Sequence, residues 1–377
     1  MRILLVRRGS IENIDGISTY ILELSEELIK RGHEVYLLSG FTRHKDLKEY
    51  LLRTFLVDFL PEFFTIEMKN GSNKAILSPI TWTQILHTIS IRLKPDIIHA
   101  NNMTPFYLKN TVPRVITYHG LAALLNRKVK AAYPLFKAYL NLTALNYDRI
   151  IVVSEKLKAE LNNIFVLPNI SNKVSVIPIG IHYKRFKAYG KQLNDRLKAV
   201  LHVGTTENKN LFSTLCAIRS LLKRGIGVKL YIAGSWSQYL KDCLSTLSPN
   251  ECESIEYVGP LTRSSMLYLL GRVRALILPS LYESFSITVL ESMCCGTPAI
   301  VSQAIPQELI IHGVNGFRVY NPMDYKSLAK YAEMLLQDDE LWMKMSLNCL
   351  KISERYDIDS IIKRILEVYK AVLYGDA

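Results

Sequence analysis

No cysteine precedes Cys216 in this 377-residue chain, and the six present (Cys216, Cys243, Cys252, Cys294, Cys295 and Cys349) never fall into a C-x-x-C pair. That spacing argues against a zinc site or a disulfide framework and suits buried free thiols in a reducing compartment. Long apolar runs are missing too. Ile3–Val6 is too short for a signal peptide or a membrane span, and Ala75–Ile91 is interrupted by Pro79, Gln84 and His87, so it reads as core. No G-x-G-x-x-G loop follows the first apolar run and no internal repeat is visible, which sets aside the dinucleotide fingerprint and solenoid architectures. Acidic residues are scarce: 34 against 47 Lys and Arg, a net charge of +13, and none between Asp96 and Asp148. Such a balance suits an acidic partner, whether a sugar-nucleotide phosphate, an anionic lipid or a nucleic acid.

What is there is a globular chain. Hydrophobic residues make up 49% and charged residues 21%, which excludes disorder, and the length exceeds what one hydrophobic core serves, so two domains are expected. The dominant rhythm is a short β-branched run, a polar or glycine turn, then a longer helical pattern. Ile3–Val6 reads as a buried strand, and Ile17, Ile21, Leu24 and Leu28 follow at helical spacing. Gly32 stops that helix, and Val35–Leu38 is the next strand, a complete βαβ unit. Further strands are predicted at Ile97–Ala100, Val115–Tyr118, Ile150–Val153 and Val174–Ile177. After Arg185-Phe186 a polar stretch runs to about Lys198 and reads as the linker. A second series follows, with strands at Val200–Val203, Lys229–Ala233, Ile255–Val258, Ala275–Leu278 and Ala299–Val301. The expectation is an α/β fold of two doubly wound parallel-sheet domains, over residues 1–182 and 183–358 with a final helix over 359–377. Ligands should bind at the carboxyl ends of the strands, in a cleft that the domains face.

The most specific stretch is Leu278-Pro-Ser-Leu-Tyr-Glu283-Ser-Phe-Ser-Ile-Thr-Val-Leu-Glu291-Ser-Met-Cys-Cys-Gly296-Thr297-Pro298, with two glutamates in E-x7-E spacing. Together with His202-Val-Gly204-Thr-Thr-Glu-Asn-Lys209, Asp15-Gly16 and Thr117-Tyr118-His119-Gly120, it resembles the retaining, nucleotide-sugar-dependent glycosyltransferases of family 4. Those enzymes have the GT-B fold of two Rossmann-like domains. The resemblance runs from Arg2 to about Leu373 and implies a hexosyltransferase acting in cell-envelope glycoconjugate synthesis, with a UDP-glucose or GDP-mannose type donor and a glycan or lipid-linked acceptor. It implies no cofactor and no metal, and a last helix that crosses back to the first domain.

In that light the amides near Ser286, Ile287 and Thr288, at a helix start, can face a pyrophosphate. Glu283 can accept from donor-sugar hydroxyls and Glu291 from the ribose. The alternative for both is a solvated helix charge. Relatives carry Gly where Ser286 stands and an Arg where Thr205 stands, so Lys209 is left as a point charge for the diphosphate, beside Gly204. Asp15 reads as a helix N-cap whose charge would repel a phosphate approaching Gly16 unless it turns away. The resemblance gives His119 a hydrogen bond to the donor sugar, and His99 reads as a structural hydrogen-bonder. Ser154 reads as a cap. Asp357-Ile-Asp359 is a literal D-x-D, but it precedes a helical pattern, so Asp359 is expected to cap that helix instead of binding a metal.

Arg127 to Leu142 reads as a helix with basic and aromatic sides. Arg127, Lys128 and Lys130 suit peripheral contact with an anionic membrane surface at the inner face of the cell membrane, in preference to nucleic acid. The alternative is a half-buried helix with solvated lysines. Two other functions stay open at this level: a sugar-nucleotide-binding protein of the same fold without turnover, and a sugar-nucleotide epimerase.

Overall fold

The computed structural model describes residues 1–10, 15–40, 55–56, 79–102, 112–121, 133–165 and 168–375. The expected membrane-contact residues Arg127, Lys128 and Lys130 lie outside them. The chain divides into two compact units, Met1–Pro178 with Ile361–Ala377, and Ile179–Ser360.

The first unit contains β1 (Arg2–Ser10), α1 (Gly16–Lys30), β2 (Glu34–Gly40), β3 (Phe55–Leu56), α2 (Pro79–Leu93), β4 (Ile97–Asn101), β5 (Arg114–Tyr118), α3 (Tyr133–Leu145), β6 (Arg149–Val152), α4 (Glu155–Asn162) and β7 (Val174–Val176). Among the described residues the strands form one parallel sheet in the order β3-β2-β1-β4-β5-β6-β7. Ile3, Leu4, Leu5 and Val6 are wholly buried, as a strand covered on both faces requires. The chain winds outward in opposite directions from β1 and β4. Loops leaving these two strands therefore diverge, and the carboxyl edge between them is where such sheets bind ligands.

The second unit repeats the plan with β8 (Leu197–Val203), α5 (Leu211–Lys223), β9 (Lys229–Ala233), α6 (Gln238–Leu244), β10 (Ile255–Gly259), α7 (Arg263–Leu270), β11 (Val273–Leu278), α8 (Ile287–Cys294), β12 (Ala299–Ser302), β13 (Gly316–Val319), α9 (Tyr325–Gln337) and α10 (Asp339–Ser353). Its sheet is parallel, in the order β10-β9-β8-β11-β12-β13, and reverses between β8 and β11. Leu215, Ile218 and Leu221 of α5 pack in one core with Leu230, Ile232 and Ile277 of the sheet. The last helix, α11 (Ile358–Tyr374), starts here and belongs to the first unit from Ile361 onward.

Several sequence expectations are corrected. The first boundary falls after Pro178, not after 182, because Ile181 is held by the end of the second unit. Its N–H donates to Tyr356 O and its carbonyl accepts from Ile358 N, each at 2.9 Å. The polar stretch expected to be a linker is packed instead. Arg196 is buried and donates to Val273 O at 2.8 Å, Cys295 O at 2.6 Å and Thr297 Oγ1 at 2.5 Å, with its guanidinium 4.7 Å from the Trp342 ring centre. Strand β13 is not announced by the periodicity. Gly316 is required there, since a Cβ would sit 2.3 Å from Ala299 O across the ladder. Asp357, not Asp359, caps α11: its Oδ1 accepts from Asp359 N at 3.0 Å, so this D-x-D is a helix entry. Of the six free cysteines, Cys252 is exposed and Cys216 half-buried; the other four are buried.

Candidate functional site

In the second unit, the loops leaving β8 and β11 meet at the reversal point of the sheet. Gly204 follows β8 with φ +101°, and Lys209 lies in the 3-10 turn Glu207–Lys209 that comes next. A Cβ on Gly204 would sit 2.5 Å from Lys209 Cγ, so glycine is needed both for the turn and for the lysine stem that lies across it. The ammonium reaches Glu283 Oε1 at 2.5 Å, and Ser280 Oγ donates to the same oxygen at 3.0 Å. Sequence positions 74 apart thus form one ion pair, with 13% of the Glu283 side chain exposed.

Two asparagines that flank Lys209, and to which the motif assigns no role, hold these loops together. Asn208 Nδ2 donates to Tyr282 O at 2.9 Å, its Oδ1 accepts from Tyr282 N at 3.1 Å, and its carbonyl accepts from Leu281 N at 2.8 Å. Asn210, buried and left-handed at φ 55°, donates from Nδ2 to Pro279 O at 3.2 Å and Pro322 O at 2.8 Å. Its residue type is the available signal, because Asn tolerates positive φ better than other non-glycine residues.

The β11 loop leads into α8 through Ser286, which takes φ 91° without a side-chain cap. This is left-handed backbone, where glycine would be unstrained, and Ser286 occupies it at the point where the first-turn amides of Ile287 and Thr288 lack intrahelical acceptors. Farther along α8, Glu291 is buried and meets Arg263 Nε at 2.9 Å. Arg263, at the start of α7, stacks over the Phe186 ring with its carbon 4.6 Å from the centre. Burial pushes the Glu291 carboxyl above its ordinary range, against the opposing pull of Arg263. Glu291 is therefore an enclosed group with a cation partner, not a solvated helix charge.

Thr205, at the place where an arginine was expected from the resemblance, is buried. Its hydroxyl donates to Ser235 O, its carbonyl accepts from Ser237 Oγ, and its methyl lies so close to Gly234 that a Cβ there would sit 2.9 Å from it. It is loop framework. His202 is buried between Thr214 Oγ1 at 2.9 Å and Gly204 O at 3.0 Å, and burial drops its pKa to about 3.

In the first unit, Gly16 opens α1 behind Asp15, which caps it by accepting from Ser18 N at 2.8 Å. The Asp15 carboxylate turns into Arg7 of β1, which grips it through two contacts of 3.1 and 2.6 Å and also donates to Ser18 Oγ. Burial alone would raise the Asp15 pKa, but the hydrogen bonds from Arg7 and Ser18 and the Arg7 charge outweigh it and hold the carboxyl below its ordinary range. The repulsion expected of Asp15 is thereby neutralised by Arg7, a residue the motif did not single out.

His119 follows β5. Its N–H donates to Asn102 Oδ1 at 2.9 Å, its Nε2 lies 3.0 Å from Asn101 Oδ1, and its ring meets Tyr20 edge-on at 4.6 Å. Burial, aided by His99 and Arg7 and opposed by Asp15, lowers its pKa to about 3, so the imidazole is neutral. His99 is wholly buried between Tyr369 OH at 2.6 Å and Thr117 Oγ1 at 2.7 Å, as expected of a structural hydrogen-bonder. Ser154 caps α4 through Leu157 N at 3.1 Å.

A tandem of Rossmann-like sheets with this motif geometry defines the GT-B class of glycosyltransferases. The chain matches the family model "Glycosyltransferase Family 4" over residues 14–185 and "Glycosyl transferases group 1" over residues 185–351. It belongs to family 4 of the glycosyltransferases and is an enzyme of that kind. Among similar sequences, an uncharacterized glycosyltransferase of Methanocaldococcus jannaschii is 28% identical over 96% of this chain and 95% of its own length. A glycogen synthase of Mycobacterium tuberculosis is 24% identical over 96% and 92%. Solved structures with the same fold include the sucrose-phosphate synthase of Thermosynechococcus elongatus, with TM-score 0.76, 17% identity and full coverage of both chains. Anabaena HepE in complex with UDP and glucose has TM-score 0.75 and 17% identity, over 98% of this chain and 100% of that one.

Proposed function

We propose that the chain is a retaining hexosyltransferase that uses a nucleoside-diphosphate sugar, of UDP-glucose or GDP-mannose type, and a glycan or lipid-linked acceptor, without metal. The observation that carries this reading is the meeting of Lys209, Glu283 and the start of α8 at the reversal point of the second sheet, with Glu291 enclosed farther along the same helix. One ammonium hydrogen of Lys209 serves Glu283, and two remain for phosphate oxygens. The first-turn amides of α8 add the positive end of the helix dipole. Glu283 accepts from sugar hydroxyls and Glu291 from the ribose.

Chemically, the protein's part is to stabilise charge on the departing diphosphate with groups already fixed in place. The acceptor hydroxyl attacks from the face the diphosphate leaves, and a diphosphate oxygen takes the proton. Comparison with HepE, solved with UDP and glucose, favours testing uridine donors first.

A thermal-shift screen of UDP, GDP, ADP and their sugars tests the donor. One nucleoside diphosphate should raise the melting midpoint in proportion to its affinity. Glu291→Ala should abolish most of that shift; an unchanged shift removes its ribose role. Release of the diphosphate from the same donor, with retention at the anomeric carbon of the product, tests the reaction. Flotation with anionic vesicles, compared with a chain neutralised at Arg127, Lys128 and Lys130, tests membrane contact. Among the described residues no helix is long and apolar enough to cross a membrane.

A further inference from the structure

We propose that Asn101 is a positioning residue that keeps the His119 proton on Nε2, so that the imidazole meets bound sugar only through Nδ1, as a hydrogen-bond acceptor for a hydroxyl. The proposal rests on the reading of His119 as a sugar-binding residue and assigns its polarity.

The argument begins with the amide of Asn101. This residue ends β4, is 1% exposed, and lies in register with Arg7 of β1 and Thr117 of β5. Its Nδ2 is 3.4 Å from the carbonyl of Val6. Turning the amide over would set oxygen against oxygen there, so the Val6 carbonyl selects the orientation that sends Oδ1 toward His119. That oxygen has only lone pairs to offer, and at 3.0 Å from Nε2 it requires a proton on that nitrogen. The main chain adds a second restraint through His119 N–H to Asn102 Oδ1, and the Tyr20 ring fixes the imidazole from its side. The orientation is set by the fold before any ligand arrives.

Nδ1 is then the remaining polar atom of the ring. It is buried and has no partner among the described residues. Burial keeps the ring from ionising: His99 and Arg7 add to it, Asp15 opposes it, and the buried Tyr20 phenol is pushed up to about 12 and stays neutral. A neutral imidazole protonated at Nε2 can accept one O–H or N–H at Nδ1 and can donate nothing there. The chemistry it selects is a sugar hydroxyl. A sugar bearing a carbonyl or carboxylate oxygen at that position meets lone pair with lone pair and is refused, and a polar contact left unmade in a buried site discriminates strongly.

Long-range 1H–15N correlation on the full chain labelled at histidine, with His119→Gln to assign the signal, reads the tautomer directly at neutral pH. The expected result is Nε2 protonated and Nδ1 bare. A proton on Nδ1, or on both nitrogens, overturns the proposal whether or not the chain transfers sugar. Asn101→Asp then sets a carboxylate against Nε2, which favours the imidazolium and blocks the acceptor. Its kcat/KM should fall about tenfold for each pH unit below the raised His119 pKa, as for one essential deprotonated group. The unaltered chain should show no such limb. Superimposable profiles would sink the proposal even with the tautomer as expected. If the unaltered chain releases diphosphate from no sugar nucleotide, the hexosyltransferase reading fails, and the spectrum still decides the tautomer.

Discussion

Residue by residue, the second-unit site depends on positions where the backbone itself is unusual. Gly204 carries φ +101°, and its missing Cβ is the space through which the Lys209 stem passes. Gly204→Ala should therefore displace the ammonium from Glu283 and lower nucleoside-diphosphate affinity about tenfold or more, a loss of about 1.4 kcal/mol or more, while the sheet stays folded. Calorimetric titration of the nucleotide against both chains measures this. Ser286 is the opposite case, a side chain in a conformation that suits glycine. Ser286→Gly should stabilise the second unit by about 1 kcal/mol, read from its urea midpoint. An unchanged midpoint would mean that the serine bears no strain.

At this scale much of the site is legible before folding. Glu283, Glu291, Lys209 and His119 stand out because the strings around them resemble the motifs of family 4 glycosyltransferases, and the resemblance gives each its expected role. Arg7, Asn101, Asn208, Asn210 and Arg263 do not stand out. Each acts on a residue that the sequence alone does not place beside it, and an isolated Asn or Arg carries no mark of its partner.

The elements show why. Asn208 and Asn210 tie the loop after β8 to the one after β11, and Arg263 at the start of α7 secures Glu291 in α8. The periodicity marks β8, β11 and α8 as pieces, but their adjacency follows from the strand order, in which β8 pairs with β11 across intervening β9 and β10. The last helix is anchored in the same way. Tyr369 of α11 is wholly buried and reaches His99 of β4, which continues to Thr117 of β5. Tyr369→Phe keeps the ring but leaves a buried imidazole nitrogen unsatisfied. It should destabilise the first unit by about 1–3 kcal/mol, measured by denaturant unfolding followed with a probe in that unit. A smaller loss would show that His99 finds another partner.

Across the whole molecule, burial governs the histidines, and with them the response to acid. His99, His119 and His202 each have a folded pKa of about 3, lowered first by desolvation. Their unfolded values lie near 6.5, so below that pH the unfolded chain binds protons that the folded chain refuses, and stability falls as pH drops toward 3. Each histidine fully engaged in this way contributes about 1.4 kcal/mol per pH unit. His99 and His119 act on the first unit and His202 on the second. Urea midpoints measured from pH 7 to 4 should fall for both units, more steeply for the first. Replacing His202 by Gln should flatten the slope of the second unit alone.

What the amino-acid order determined by itself is local: strands with near-continuous apolar runs, helices with capped starts, and a motif that identifies the family of folds. These depend on residues a few positions apart, where periodicity and capping operate. Only the tertiary structure decided that Lys209 pairs with Glu283, that Arg7 takes the charge of Asp15, that Arg196 is buried in place of a linker, and that Asn101 faces His119. Those pairings depend on which strands lie side by side and on how much water burial removes, and neither is a property of any short stretch of chain.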